Sequence, residues 1–151
     1  MGDAERPCSC LPEAVARYRA RVSGPLLDRI DLRVHVPRVP YERLRAHLAG
    51  GPSGEASAAV RERVVSARAR MRARGAGART NAELSAADVR RVCALESDAE
   101  GVMAAGMRGG RYSARGYHRL LRVARTIADL EGAPRIRTGD LSLALLLRAE
   151  P

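Results

Sequence analysis

Residues 113–132 read SARGYHRLLRVARTIADLEG, which carries one of the two longest helical patterns in the chain. Ser113 is a favoured N-cap residue type, and the pattern after it predicts a helix that runs to Glu131. Gly132 and then Pro134 end that helix. Its apolar positions are Tyr117, Leu120, Leu121, Ala124, Ile127 and Ala128. They recur every three or four residues, which is the spacing of one face of an amphipathic helix, so we predict a long helix packed in a bundle.

Further helical patterns occur between Glu55 and Arg148. Residues 55–74 place apolar side chains on one face and arginines on the others. The apolar positions there are Val60, Val64, Ala67 and Met71. Three more helix starts are marked by Ser85-x-x-Asp88 and Ser97-x-x-Glu100, which have the spacing of capping boxes, and by Thr138. The side chains expected to point inward from these helices are Val89, Val92, Cys93, Val102, Met103, Met107, Leu141, Leu145 and Leu146. We therefore predict a five-helix bundle.

The first part of the chain has a different pattern. Residues 11–21, LPEAVARYRAR, predict a short helix, and residues 41–47 predict another. Between them Leu32, Val34 and Val36 alternate with polar residues, which predicts one strand that ends before Pro37 and Pro40. An isolated strand has nothing to pair with, so we expect the rest of its sheet to come from outside this sequence. GGPSG, residues 50–54, has the composition of a linker.

Composition excludes several classes of enzyme. The chain has 151 residues, of which 27 are basic and 17 acidic, giving a net charge of +10, and it contains no lysine. Without lysine it holds no P-loop of the GxxxxGK[ST] type and no Schiff-base lysine. The positive charge is compatible with nucleic-acid binding and equally with a coding bias toward arginine. Having four Tyr and neither Trp nor Phe, it lacks the interleaved aromatic side chains that stack on single-stranded bases.

Targeting signals are not evident. No apolar run approaches the roughly 18 residues of a membrane-spanning helix. The N-terminal MGDAERPCSC has no basic start followed by an apolar stretch, unlike a secretory signal. The three cysteines do not form an even disulfide framework. We therefore expect a cytoplasmic protein without a membrane partner.

Two arginines are candidates for contacts with phosphate. Arg29 lies between two acids at the predicted junction of helix and strand. It is either a salt-bridged surface residue or an arginine finger offered to a neighbour's nucleotide. Arg115 lies in the first turn of the long helix and shares a face with Arg119 and Arg122. That face is either solvated or a phosphate contact, because the planar guanidinium fork suits phosphate oxygens.

Three stretches together carry a family resemblance. They are RPCSCLPEAVARYRARVSGPLLDRIDLRVHVPRV (residues 6–39), RTNAELSAADVRRVCAL (79–95) and SARGYHRLLRVARTIADLEG (113–132). They resemble the C-terminal part of the Mg-chelatase-like AAA+ ATPases of the ComM/YifB family. The likeness covers practically the whole chain, and RYRARVSGPLLDRIDL (17–32) and RTIADLEG (125–132) are its most specific parts.

The resemblance implies a domain organisation. Residues 1–40 would be the C-terminal remnant of the α/β AAA+ core, residues 41–54 a linker, and residues 55–148 the Mg-chelatase C-terminal domain, which serves as a helical lid. The fold class would then be mainly α: a helical-bundle lid preceded by a short helix–strand remnant of the core.

The resemblance also implies roles for the two arginines. Arg29 would be the arginine finger, acting in trans on the ATP of the adjacent subunit, and Arg115 would be sensor 2, touching the γ-phosphate from the lid. The cofactors would be ATP and Mg²⁺, the assembly a homo-hexameric ring, and the activity ATP-driven DNA branch migration by a helicase of natural transformation.

Several family motifs are not in this sequence. The Lon-protease-like domain, Walker A, Walker B and sensor 1 are missing, and residues 2–10 match an internal stretch of full-length members. We therefore expect a truncated or partial gene product that, alone, neither binds ATP tightly nor hydrolyses it and carries no cofactor. Two other functions stay open: a free-standing basic helical module that binds DNA or docks on a ring, and a fragment of a metal-chelatase ATPase subunit.

Cys8 and Cys10 are candidate metal ligands. The resemblance implies a further Cys-x-Cys upstream, which could join them in a tetrahedral zinc site, of which this sequence would hold half. Two thiolates alone cannot close a structural zinc site, so the other interpretation is a pair of ordinary free thiols. Cys93 lies on an apolar helix face and is expected in the core.

Overall fold

The computed structural model describes residues 8–27, 29–51, 54–75, 77–78, 80–108 and 112–148. The elements there are α1 (Pro12–Arg19), α2 (Gly24–Leu27), α3 (Tyr41–Leu48), α4 (Ser57–Ala73), a 3₁₀ turn (Asn81–Glu83), α5 (Ala86–Val92), α6 (Ser97–Met107), α7 (Ala114–Leu130) and α8 (Thr138–Arg148). The mainly α fold class is confirmed. The five helices predicted after Glu55 all form.

The chain divides into two compact units. Of the described residues, the first unit contains 8–30 and 34–54, and the second contains 31–33 and 55–148, with the gaps given above. In the first unit, α1, α2 and α3 contain no buried residue. Helices of this kind have little tertiary packing to stabilise them, because most helical stability in proteins comes from burying an apolar face.

The predicted strand over Leu32–Val36 is wrong. Residues 31–40 form neither helix nor strand, and Val34 and Val36 are exposed. A strand requires a neighbour to receive its backbone hydrogen bonds, and no second strand occurs among the described residues. The backbone N–H of Arg33 instead donates to the carbonyl oxygen of Leu147, at 2.6 Å.

The core of the second unit is built around α7. This helix contacts α4, α5, α8 and the 3₁₀ turn, and α6 packs on α8. The buried apolar residues are Leu84, Val89, Cys93, Ala99, Met103, Leu120, Leu121, Ala124, Ala128, Ile136, Leu141 and Ala144. A single parallel bridge joins Leu95 to Ile136 within the described part of the chain. The apolar stripe predicted for α7 is therefore the stripe that faces the core.

Three of the predicted core positions are exposed rather than buried. Leu146 is 70% exposed, and Ala144 is buried on α8 instead. In α4, Ala67 and Met71 are buried, whereas Val60 and Val64 nearer the start of the helix remain 39% exposed. The predicted faces were right in direction, but only part of each face is covered by a neighbouring helix.

The helix caps were predicted with mixed success. At α5 the Ser85 hydroxyl accepts from the Asp88 N–H at 3.1 Å, and the Asp88 carboxylate receives the Ser85 N–H in return, so this capping box is confirmed. At α7 the Ser113 hydroxyl accepts from the Gly116 N–H, as expected. The box predicted at Ser97 is wrong.

The two remaining helix starts lie one residue earlier than expected. Glu96 is the N-cap residue of α6, and its side chain makes no cap hydrogen bond. Thr138 is likewise the first residue of α8 and not its cap. There the Arg137 N–H donates to the Asp140 carboxylate at 2.8 Å. The residues that directly precede these two helices, Glu96 and Arg137, are not of the types that typically cap a helix.

Candidate functional site

The four arginines of α7 differ in what they contact. Arg125 is fully buried and donates to the carbonyl oxygens of Pro134 and Ala133 at 2.9 and 2.5 Å. Arg122 donates to the carbonyl oxygen of Leu84. These two guanidinium groups hold loops of the bundle in place, so neither is free to bind a ligand.

Arg119 is also engaged within the protein. Its guanidinium lies 3.2 Å from the Asp31 carboxylate, and its side chain is 24% exposed. The face predicted from Arg115, Arg119 and Arg122 is therefore not an open basic surface, because two of its three arginines have protein partners.

Arg115 is the exception on α7. It lies in the first turn, directly after the Ser113 cap, and it is exposed. Its guanidinium makes no hydrogen bond or ion pair with any residue that the structure describes. A capped helix start thus holds a free cation at the end of the bundle.

Arg29 lies in the first unit, directly after α2 and Asp28, which is outside the described residues. Its backbone N–H donates to the Leu26 carbonyl oxygen at 3.0 Å, which fixes the turn that carries it. The side chain is exposed and forms no ion pair with a described residue. Asp31, one of its two acidic neighbours in sequence, pairs with other arginines.

A buried polar network joins three elements of the bundle, and the sequence did not predict it. Asp129 in α7 accepts from Arg74 after α4 and from Asn81 in the 3₁₀ turn, and it pairs with Arg125 at 3.1 Å. Burial lowers the pKa of Arg125, and the charge of Asp129 opposes that effect. In the sequence, Arg125 and Asp129 lie beside the apolar stripe of α7 and are four residues apart. This spacing could have indicated a pair of opposite charges on one face of the helix.

The three cysteines differ in their exposure to solvent. Cys8 and Cys10 are exposed, and hydrogen bonding with Cys10, to its backbone foremost, lowers the pKa of the Cys8 thiol. Cys93 is buried as expected, and burial raises its pKa to about 11. No group of three or more His, Cys, Asp or Glu side chains in the described ranges could hold a metal ion. Zinc binding by Cys8 and Cys10 stays a prediction.

Within the described residues, every helix is too short or too polar to cross a bilayer.

The second unit is a helical bundle in which the capped α7 carries the exposed Arg115 in its first turn. The chain belongs to the magnesium chelatase family. Residues 54–148 match the family described as magnesium chelatase, subunit ChlI C-terminal, and residues 1–44 match the one described as magnesium chelatase, subunit ChlI.

Individual relatives agree with this assignment. The chain is 39% identical over 138 residues to the competence protein ComM of Haemophilus influenzae, an alignment covering 91% of this chain and 26% of that protein. It is 38% identical over 140 residues to the uncharacterized protein YifB of Salmonella typhimurium, covering 93% and 27%. An uncharacterized protein of Mycobacterium bovis is 40% identical over 143 residues, again covering 93% and 27%. The chain therefore spans about a quarter of the length of these relatives.

Proposed function

We propose that the chain is the C-terminal part of a ComM/YifB-like AAA+ ATPase and completes the ATP sites of a homo-hexameric ring. Arg29 would be the arginine finger, reaching the ATP of the adjacent subunit, and Arg115 would be sensor 2. The work done by the ring would be DNA branch migration in the cytoplasm during natural transformation. Support comes from family membership and from the name of the Haemophilus influenzae competence protein.

The observation that carries this proposal is the contrast among the arginines. Those at positions 119, 122 and 125 of α7 are held by protein partners, whereas Arg115 is exposed and unpaired within the described residues. Arg29 is exposed and unpaired in the same sense. A phosphate contact requires such a free guanidinium, since each N–H already given to a carbonyl or carboxylate is lost to the ligand.

The two arginines would act at different stages. Arg115 lies at a fixed helix start, so it would contact the γ-phosphate of the subunit's own ATP in the bound state and contribute to affinity. Arg29 would offset charge that develops on the transferred phosphoryl group and would therefore contribute to turnover. The phosphate cradle and the carboxylate for Mg²⁺ would come from the remainder of the ATPase core, because this sequence has no P-loop lysine.

Substitutions in an intact ring test the proposal. We would place residues 8–148 in the matching quarter of the Haemophilus influenzae competence protein and measure ATP turnover and ATP affinity without DNA. Arg29→Ala should lower kcat at least about a hundredfold with ATP affinity nearly unchanged. Arg115→Ala should weaken ATP binding. Arg68→Ala, a matched loss of an exposed arginine on α4, should change neither. Wild-type turnover in Arg29→Ala would contradict the proposal.

The 151-residue chain by itself is expected to be inactive. It contains no lysine and therefore no P-loop, so ATP should bind weakly and should not be hydrolysed. The purified chain can be assayed directly for phosphate release. Turnover that disappears in the Arg29→Ala variant would contradict this expectation.

A second function, DNA binding by the chain alone, is favoured by α4. Arg61, Arg68 and Arg72 are exposed there and form no ion pair with a described residue. Binding through phosphates should weaken steeply as the salt concentration rises. In the Arg61→Ala/Arg68→Ala double variant, the slope of log K against log salt should fall by the amount expected for the loss of about two phosphate contacts. If forked and duplex DNA fail to bind at low salt, this second function is excluded.

A further inference from the structure

Helix α4 and the residue after it carry two rows of three arginines, one row on each side of the apolar stripe. In both rows the spacing is seven and then four residues, so each row stays within about 40° of the helix circumference. The stripe consists of Val60, Val64, Ala67 and Met71. The first row, which we name the closed row, consists of Arg63, Arg70 and Arg74. The second row, which we name the open row, consists of Arg61, Arg68 and Arg72.

Every arginine of the closed row is engaged within the helical unit. Arg63 donates to both carboxylate oxygens of Glu55, at 2.7 and 2.8 Å. Arg70 donates to the Asp129 carbonyl oxygen at 3.0 Å, and Arg74 forms an ion pair with the Asp129 carboxylate. These contacts fasten one side of α4 to the segment before it and to the end of α7.

The open row has no contacts of this kind. Its three arginines are exposed and form no ion pair or hydrogen bond with any residue that the structure describes. Glu62 is the one acidic residue in the sequence of α4, and it lies about 100° around the helix from the centre of the row. At 1.5 Å of rise for each residue, the row is a strip of uncompensated positive charge about 16 Å long.

We propose that the open row binds the phosphate backbone of one strand of duplex DNA and reads no base sequence. This inference rests on DNA binding by the chain, the second function proposed above. The guanidinium fork matches phosphate oxygens, and cations placed in line along a helix match the line of phosphates in a strand. A site for one small anion would instead gather its cations around a single point.

The face of α4 opposite the apolar stripe explains why we expect no readout of sequence. A recognition helix turns this outermost face toward the bases. The residues there are Ala58, Glu62, Val65, Ser66, Ala69 and Ala73. None is an arginine, asparagine or glutamine, the side chains that make bidentate contacts with base edges in the major groove. The cations lie on the flank of the helix, where they can contact phosphates, and phosphate contacts carry no sequence information.

A duplex fits the open row better than a single strand does. Proteins that hold single strands without sequence preference stack the bases on aromatic side chains. The sequence of α4 contains no aromatic residue, so the row offers charge alone. Duplex DNA has the higher density of backbone charge, and binding through charge should therefore favour it.

Binding of the full 151-residue chain to a fluorescent DNA duplex, measured at increasing salt, is the test. Arg61→Gln should lower the slope of log K against log salt by about 0.9, the value for one phosphate contact. Arg63→Gln removes the same charge two residues further along α4, and it should leave the slope unchanged because Glu55 already binds that guanidinium. Both side chains are exposed, so both variants should fold.

Two results would overturn the open row, and they differ in what they leave standing. If the wild-type chain binds the duplex and Arg61→Gln lowers the slope no more than Arg63→Gln does, the open row is wrong and DNA binding by the chain stands. If the wild-type chain binds no DNA at low salt, both the open row and the second function are overturned.

The mode of binding has its own readout in the wild-type chain. Duplexes of unrelated sequence should bind within about twofold of one another, because only phosphates are contacted. A duplex with glucosylated 5-hydroxymethylcytosine, whose sugars fill the major groove, should bind equally well. A preference of about tenfold for one sequence, or loss of binding to the glucosylated duplex, would overturn the backbone mode. Equally tight binding to single strands or to phosphatidylserine vesicles would overturn the choice of duplex DNA.

Discussion

Asp129 shows how one buried carboxylate can hold three elements together. Its carboxylate accepts a hydrogen bond from the Asn81 side-chain amide at 2.8 Å. It also forms ion pairs with Arg125 of its own helix and with Arg74, which follows α4. Arg70 adds a hydrogen bond to the Asp129 carbonyl oxygen at 3.0 Å. Because Asp129 is 0% exposed, the loss of a partner would leave its carboxylate buried without a compensating hydrogen bond, which is costly.

Removing the charge of Asp129 should therefore destabilise the bundle strongly. We expect Asp129→Asn to lower the free energy of unfolding by about 3 kcal/mol, since the buried Arg125 loses its counter-charge. Urea denaturation of the chain measures this loss. Glu55→Gln breaks an exposed pair and should cost less than about 1 kcal/mol. Equal stability of the two variants would show that the network contributes no more than a surface pair.

The three cysteines should differ sharply in reactivity. Burial raises the pKa of Cys93 from 9.0 to about 11, which lowers its thiolate fraction at neutral pH about a hundredfold, and its side chain is covered. Cys8 and Cys10 are exposed. Alkylation of the native chain followed by mass spectrometry should label these two first and Cys93 only after unfolding. Rapid labelling of Cys93 would contradict its place in the core.

Among the elements, α7 was the easiest to predict. The N-cap residue, the apolar stripe and the glycine that ends the helix all lie within twenty consecutive residues. Local sequence was therefore sufficient to predict the helix and its buried face. Gly132, at a φ of +71°, ends the helix in a conformation that favours glycine. The partners of Arg119, Arg122 and Asp129 could not be predicted, because Asp31, Leu84 and Arg74 are distant in sequence.

The starts of α5 and α6 show the limit of cap motifs. Both Ser85-x-x-Asp88 and Ser97-x-x-Glu100 have the spacing of a capping box, yet only Ser85 caps its helix. The Glu96 N–H donates to the Ile136 carbonyl oxygen, and this bridge to the segment before α8 places the start of α6. The start of α6 is therefore set by a tertiary contact, and the prediction from local sequence was wrong by one residue.

This pair of serines provides a matched test. Ser85→Ala removes the hydroxyl that receives the Asp88 N–H, so it should lower the free energy of unfolding by about 1 kcal/mol. Ser97→Ala should change it by less than about 0.5 kcal/mol, because the Ser97 hydroxyl contacts only the neighbouring Asp98 among the described residues. Thermal or urea unfolding compares the two. A larger loss in Ser97→Ala would contradict the assignment of the caps.

At the scale of the whole molecule, the two units differ in how much they bury. The helical unit has a continuous core around α7, whereas α1, α2 and α3 of the first unit bury nothing. The apolar alternation at Leu32, Val34 and Val36 predicted a strand, but a strand depends on a partner that the described residues do not supply. The fold of the bundle was thus predictable from its sequence. In the first unit the two predicted helices form as α1 and α3, whereas the predicted strand does not.

In the proposed function, Arg29 acts in trans on the ATP site of the adjacent subunit. The most direct measurement mixes two inactive subunits of the ring built with residues 8–148: one carries Arg29→Ala, and the other lacks the P-loop lysine supplied by the Haemophilus influenzae part. A finger that acts in trans should restore ATP turnover at about a quarter of the sites in an equal mixture. A mixture as inactive as each variant alone would contradict the claim.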